Sequence, residues 1–468
     1  MAVEVQAEQL VIGGRAAASE AAQTLVVHSP DDGQPVGTIP AGCAQDVDLA
    51  VAAARDAAAG WASLTYADRA GAIAAMLDAL EACADEIARA QSKEMGQPLE
   101  MARSFLVETL AGAREELAGA ASQDETDLDG GYLVHEPRGV AALIIPWNFP
   151  IPIAIQGLVP LLATGNTVIW KPSERSPLSA VVAMQAIADL LPPGVLNLIL
   201  GDGRAGEPLA AHQDVDLVLF TGSVQTGKRV AELAAGRLAK VVLELGGKDP
   251  VIVDSGVDAA WAADVVAQGA MLNAGQICTS MERIYVHAEI ADEFTAALCA
   301  AVPGAAGSQP LVDARQREIV DSHVQTAVAD GARLLLGGER PDGPGFHYPP
   351  TVLVDVPQDT PLMREETFGP VAALHTVKDF DEALSLANDT TYGLAATVLT
   401  DDPEHAARAG RRLRASIVWI NEWQGAVDGA QAEPQRLSGL GTGFGPGLWS
   451  ELRTTRYVHS GSATPRER

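Results

Sequence analysis

Positive charge is what this chain most lacks. It carries 32 Lys and Arg against 61 Asp and Glu, a formal net charge of −29 at pH 7. A surface so acidic is not built to neutralise nucleic-acid phosphates, and self-repulsion favours solubility. Cysteine is scarce too: Cys43, Cys83, Cys278 and Cys299 lie far apart and form no CxxC pair. Neither a disulfide framework nor a zinc centre is suggested, no metal is expected, and a reducing compartment fits. No stretch reaches roughly 18 apolar residues free of charge or Pro. The opening MAVEVQAEQLVIGG has no basic segment followed by an apolar run. A soluble cytoplasmic protein, with no membrane partner, is therefore expected.

Length, by contrast, is ample. The 468 residues suffice for two or three domains, each running on the order of 100 to 200 residues. From DVDLAVAAARDAAAGW to ELAGAASQ, Ala, Leu, Glu and Arg recur at helical spacing, with breaks expected at Gly60 and at GQP. After Gly131 short apolar runs take over: VAALIIP, NTVIWKP, VLNLIL, DLVLF, KVVLEL and PVIV, with helical segments such as SPLSAVVAMQAIADLL between several of them. Apolar strands alternating with helices imply a parallel sheet covered on both faces. A second alternating series follows Gly247, with a helix over DAAWAADVVAQGAMLNAG and a strand at RIYVHA. The C-terminal RTTRYVHSGSATPRER reads as a short strand and a polar tail.

In an open α/β sheet, ligands sit at the carboxyl ends of strands, and DLVLF ends where TGSVQTGKRV begins. Gly222, Gly227 and Lys228 approximate a P-loop, but Arg229 stands where a Ser or Thr would bind magnesium. The glycines allow close backbone approach, Ser223 can donate to a phosphate oxygen, and a helix beginning near Thr226 offers free amides. Such a loop suits a pyrophosphate better than a hydrolysed triphosphate. By itself it is equally an ordinary strand-to-helix turn.

Five further motifs accompany it: PWNFP (146 to 150), WKPSERSP (170 to 177), LELGGKDP (243 to 250), GQICTS (275 to 280) and EETFGP (365 to 370). In this order and at these separations the set resembles the aldehyde dehydrogenase superfamily, from about Val26 to about Val458. The resemblance implies an α/β protein with the aldehyde dehydrogenase-like fold: a Rossmann-like cofactor domain, an α/β catalytic domain and a small β oligomerisation element. The expected division is residues 1–118 with 138–245 for the cofactor, 246–435 for catalysis, and 119–137 with 436–468 for oligomerisation and tail. A homodimer or homotetramer is implied.

The chemistry explains the residue types. An aldehyde carbon cannot expel hydride until a nucleophile makes it tetrahedral, so attack by a thiolate is a natural first step. By resemblance Cys278 is that nucleophile, Asn148 and the Cys278 amide form the oxyanion hole, and Glu244 is the general base for thioester hydrolysis. Read singly, Cys278 is a small buried hydrophobe, Asn148 a turn residue and Glu244 a solvated strand end. The resemblance also implies NAD as cofactor, with NADP admissible. Lys171 and Glu174 contact the adenosine ribose, Ser223 the pyrophosphate, and Glu366 and Phe368 the nicotinamide ribose and ring. Ile145, Trp147, Gly206, Gly222 and Leu245 complete that set. A carboxylate beside the ribose disfavours a 2′-phosphate by like-charge repulsion.

The implied substrate pocket comprises Phe149, Ile153, Gln156, Ile277, Thr279, Gln424, Ala426 and Ala432. Here the sequence departs from the family. Ala426, Ala432 and Gln156 replace bulky aromatics, which favours a wider pocket for a bulky or polar-substituted aldehyde. Gly157 and Gly443 stand where many members have a lysine and a glutamate of one proton-relay neighbourhood. Two alternatives follow: a semialdehyde or coenzyme A-acylating enzyme, against which Glu244 counts, and a non-catalytic dinucleotide-binding or structural protein.

Overall fold

A computed structural model of the chain describes residues 5–6, 9–119, 125–425, 427 and 429–459. Two large sheets organise it. The first has eight strands in the order Gly439–Leu440, Lys240–Glu244, Leu217–Thr221, Val140–Ile144, Thr167–Lys171, Leu196–Leu198, Leu10–Ile12, Arg15–Ala17. Its middle five strands are parallel, and antiparallel pairs close both edges. All five residues of Val140–Ile144 and of Thr167–Lys171 are buried, as strands covered on both faces must be. Gly439–Leu440, expected in the C-terminal element, instead pairs with the end of Lys240–Glu244, placing Gly439 opposite Glu244.

The second sheet has seven strands, running Arg333–Leu336, Thr351–Val354, Val371–Val377, Met281–His287, Asp249–Val253, Ala395–Leu399, Ile417–Ile420. Only Arg333–Leu336 is antiparallel to its neighbour. A three-stranded antiparallel sheet joins Arg453–His459, Gly131–Pro137 and Glu125–Leu128. The tail beyond His459 lies outside the described residues.

In the first sheet the chain leaves Val140–Ile144 toward Thr167–Lys171 on one side, then returns to place Leu217–Thr221 on the other. A crevice opens where the strand order reverses, at the carboxyl ends of Val140–Ile144 and Leu217–Thr221. Those ends carry PWNFP and the near-P-loop. The fold alone brings these two motifs to one place.

Local chemistry sets most helix boundaries. Thr65, Ser223, Asp258, Asp313, Asp379 and Asp402 each cap a helix, their side-chain oxygens accepting free first-turn amides. Gly96 ends Ala84–Met95 in the left-handed region at φ 67°, where an added Cβ would also lie 2.5 Å from Pro310 Cγ. This is the break expected at GQP. The break expected at Gly60 is absent: helix Ala44–Ala62 runs through it and stops at Ser63. Gly60 is exposed with nothing near its Cα, and an exposed helical glycine costs only about 1 kcal/mol. Helix Val224–Ala235 starts two residues before the expected Thr226, and helix Ala259–Met271 stops four short of Gly275. Among the described residues, no helix is long and apolar enough to cross a membrane.

Candidate active site

Helix Ala259–Met271 gives way to a tight turn in which Asn273, Ala274 and Gly275 take φ values of 55°, 54° and 69°. Left-handed backbone at Asn and Ala is strained and needs compensation nearby. A buried web of amides supplies it. Asn273 Nδ2 donates to the Gln276 carbonyl at 3.2 Å, and Asn273 Oδ1 accepts from Gln97 Nε2 at 2.7 Å and from Gln309 Nε2. Gln97 Nε2 also donates to the Asn148 carbonyl at 2.9 Å and is itself held by Gln91. Asn148, only 4% exposed, donates one amide hydrogen to the Gln276 carbonyl at 3.0 Å, leaving its second for another acceptor. Two residues after Gln276 stands Cys278.

Cys278 is accessible to water, yet protein surrounds its sulfur, as at the floor of a crevice. Burial pushes the thiol up to about 12, and Asp249, Glu366 and Glu244 add to the rise. All three carboxyls are themselves raised. Burial alone lifts Glu244 to about 8; burial and then Glu282 lift Glu366 to about 8; burial lifts Asp249 well above the carboxylate range. Near neutrality Glu244 and Glu366 hold their protons, so repulsion from them fades and burial is the main restraint on the thiol. Glu244 is not the solvated strand end of the single-residue reading: the residue is half-buried, and its Oε1 is shielded from solvent with no hydrogen-bond partner among the described residues. Gly157, on helix Pro150–Ala163, packs where an added Cβ would lie 2.6 Å from Leu143.

Along the crevice, buried Lys171 donates, among the described residues, only to the Pro172 carbonyl at 3.0 Å, which leaves donors to spare beside Glu174 and Asp202. Gly206 passes close by, its Cβ position 3.4 Å from Lys171 Cε. At the near-P-loop Ser223 Oγ accepts from the Thr226 amide at 3.3 Å and meets the Thr226 hydroxyl at 3.1 Å. Gly227 has no room for a side chain because Leu245 lies against it, and Gly222 sits on the Phe220 ring. Across the crevice the Trp147 and Phe368 rings meet edge-on at 5.4 Å, with the Arg175 guanidinium 5.7 Å from the Trp147 ring. Phe368 takes a left-handed φ of 53°, fixed by Glu282, which accepts from the Thr367 and Phe368 amides at 2.8 Å each. Buried Lys248 pairs with Glu282 and donates to Thr367 Oγ1 at 2.9 Å. Glu366 accepts from the Gly247 amide at 3.2 Å, so EETFGP is moored against LELGG. Ile145 is buried and its amide bonds the Lys171 carbonyl.

The aldehyde dehydrogenase family model matches residues 17–458. The chain belongs to the aldehyde dehydrogenase family. A peroxisomal aminoaldehyde dehydrogenase of Malus domestica is 36% identical, over 98% of this chain and 97% of its own length. Betaine aldehyde dehydrogenase of Staphylococcus aureus, solved with NAD+, superposes with a TM-score of 0.94 at 29% identity, covering 98% and 96% of the two chains. An indole-3-acetaldehyde dehydrogenase of P. syringae, also solved with NAD+, gives 0.91 at 33% identity over 96% of each. This chain is an NAD(P)-dependent aldehyde dehydrogenase that oxidises an aldehyde to a carboxylic acid.

The crevice of this aldehyde dehydrogenase fits its dinucleotide. A buried ammonium flanked by carboxylates suits ribose hydroxyls, and a helix start with bare glycines at 222 and 227 suits a pyrophosphate. The expected substrate wall is brought together in part. Phe149, Ile153 and Gln156 share one helix face that is less buried than its flanks, and Phe149 packs on Phe105 at 5.0 Å. Ile277 is buried and Thr279 partly so, and the Thr279 carbonyl accepts from Trp423 Nε1 at 3.1 Å. Exposed Gln424 has a φ of 61°. Ala432 is partly buried in the loop that follows, and Ala426 lies outside the described residues. Trp423, Gln97, Asn273, Gln276 and Asp249 went unread in the sequence. Trp423, Gln97 and Asp249 bond partners far away along the chain, and only the placement of Gln276 inside GQICTS and of Asn273 just before it hinted at a role.

Proposed function

We propose that Cys278 attacks the aldehyde carbon, giving a thiohemiacetal whose oxygen is held by the Asn148 side-chain amide and the Cys278 backbone amide. Bound NAD supplies the hydride acceptor. The resulting thioester is hydrolysed by a water whose proton passes to Glu244; the C–S bond breaks, the acid leaves and the thiol is restored. Lys171, Glu174, Gly206, Gly222, Ser223 and Leu245 hold the dinucleotide along the crevice, with Ile145, Trp147, Glu366 and Phe368 toward its nicotinamide end. The observation that carries these roles is the Asn148 amide bonded to the Gln276 carbonyl, two residues before an accessible Cys278, with Glu244 in electrostatic reach of the sulfur. The presence of Glu244 favours hydrolysis over transfer of the acyl group to coenzyme A.

The physiological substrate is read as a bulky or polar-substituted aldehyde, bounded by Phe149, Ile153, Gln156, Ile277, Thr279, Gln424, Ala426 and Ala432. Small residues at 426 and 432 and an exposed amide at 156 support that reading, as do the aminoaldehyde and indole-acetaldehyde names of its relatives. NAD is preferred because Glu174 and Asp202 flank Lys171. The enzyme works in the cytoplasm as a homodimer or homotetramer, with residues 119–137 and 436–468, apart from the strand Gly439–Leu440, as the oligomerisation element and tail. Residues 1–118 with 138–245 form its cofactor domain and 246–435 its catalytic domain.

Reduced-cofactor formation with NAD and NADP, across small, acidic, aromatic, long-chain and amino aldehydes, is the test. Turnover is expected with aromatic, long-chain or amino aldehydes above acetaldehyde, and none with Cys278→Ala. Activity surviving in that variant would remove the thiol from the mechanism, and acetaldehyde as best substrate would sink the wide pocket.

A further inference from the structure

The geometry points to Gly443 as a positioning residue: its bare Cα opens the niche into which the Glu244 carboxyl folds, and so sets where that carboxyl rests between turnovers. An ideal Cβ built on Gly443 would overlap Glu244 Oε1 and Cδ and lie 2.5 Å from its Cγ. Under 3 Å something must shift, so any other residue at 443 is incompatible with the observed Glu244 rotamer. The segment that carries Gly443 is held in place. Gly439–Leu440 pairs with the end of Lys240–Glu244, and the Thr442 amide donates to Glu451 Oε1 at 3.4 Å. The next loop closes over it, since a Cβ on Gly445 would strike the Ala430 carbonyl.

The niche shields one carboxyl oxygen from solvent without giving it a partner: Glu244 Oε1 has no hydrogen bond among the described residues. Among the described residues, the ionisable groups around it bring no free cation. Lys240, on its own strand, is paired with Glu451 of helix Gly445–Glu451. The nucleophile loop contributes the Cys278 thiol, and the EETFGP loop contributes Glu366, which lies against Gly246. Burial then leaves the carboxyl protonated at neutral pH, titrating at about 8. A side chain at 443 would drive it out into the crevice beside Cys278, where water lowers its titration toward the ordinary range. Residue 443 would thereby set the pH at which the base becomes available.

This inference rests on Glu244 acting as the base, so its test includes a readout that needs no turnover. Infrared difference spectra of wild type minus Glu244→Gln, recorded over pH 4 to 10, report the protonated carboxyl of residue 244 directly. In wild type its band is expected to vanish with a midpoint near 8. In Gly443→Ala the midpoint is expected at least one unit lower, a tenfold larger ratio of ionised to protonated carboxyl at a given pH, and the acid limb of kcat against pH moves the same way. A merely structural glycine would lower thermal stability or kcat at every pH and leave both midpoints where they were; that result in folded Gly443→Ala overturns the inference. So does a wild-type band already lost near pH 4.5, which decides the matter even if the variant fails to fold. Failure of aldehyde oxidation would leave the spectra readable and count against the proposed mechanism alone.

Discussion

A cysteine that attacks a carbonyl must first lose a proton, and the surroundings of Cys278 oppose that loss. Burial and three neighbouring carboxyls put the Cys278 thiol at about 12, far above the roughly 8.5 of a free cysteine. Labelling of Cys278 by iodoacetamide in the ligand-free enzyme should therefore climb about tenfold per pH unit well past pH 9. Mass spectrometry of the peptide, with Cys278→Ala as blank, would follow it, and a plateau near pH 8.5 would show an ordinary thiol. Cys278, Asn148 and Glu244 were legible because each sits in a short contiguous motif whose chemistry demands that residue type. Gln97 was not. It bonds Asn273 across 176 residues, and neither periodicity nor local chemistry marks a glutamine for such a pairing. Replacing Gln97 by Ala leaves the Asn148 carbonyl short of its strongest donor, costing about 1–3 kcal/mol of stability. Displacing Asn148 lowers kcat on the order of tenfold to a hundredfold. Affinity for NAD should be unchanged, because Gln97 lies on the amide web and away from the cofactor side of the crevice. Equal losses in kcat and NAD affinity would instead indicate general loosening.

Helices show the same division between local and distant causes. Among the described residues seven begin at a Ser, Thr or Asp whose side chain accepts a first-turn amide, a signal readable in the sequence. Helix Leu178–Ile187 does not: Pro177 precedes it without a side-chain cap. Its free amides at Leu178 and Ser179 donate at 2.5 and 3.0 Å to Glu94, 84 residues upstream, with the Ser179 hydroxyl as third donor. No local pattern announces a cap supplied from another helix. The break misplaced at Gly60 has the opposite origin, a local signal too weak to act against a helix already packed through Val47, Val51 and Trp61. Glu94 carries a pH consequence. Burial outweighs its three donors and raises it to about 7, so the native state binds this proton more tightly than the unfolded chain. Its contribution to stability is fullest below pH 4.5, declines as pH rises to 7, and is level beyond. Chemical denaturation at pH 4.5 and 8 should show wild type losing roughly 3 kcal/mol from this source, a loss that Glu94→Gln does not share. An equal offset between the two proteins at both pH values would mean that the donors already hold Glu94 ionised.

At the scale of the whole molecule, charge and open edges pull in opposite directions. A chain at −29 repels its own copies, and at low ionic strength that repulsion reaches across a Debye length of about 30 Å at 0.01 M salt. Yet strand Arg453–His459 ends its three-stranded sheet, paired on one side only, with Tyr457 60% exposed. Leu238 is 93% exposed at a left-handed φ of 59°, close to half-exposed Leu440. Open strand edges and bare leucines invite association. If copies meet through these features, apolar burial and strand pairing must outweigh the repulsion, and added salt should strengthen the assembly. Sedimentation is expected to give a species larger than the 48.7 kDa chain, with dissociation moved to lower protein concentration between 0.01 and roughly 0.15 M salt. Tyr457→Asp, which adds charge at the open edge, should shift the equilibrium toward single chains while leaving the far-ultraviolet spectrum intact. A wild-type protein that sediments as one chain at every salt and concentration would show that the terminal sheet and Leu238 face water alone. An assembly indifferent to salt and to Tyr457→Asp would place the contact elsewhere on the surface.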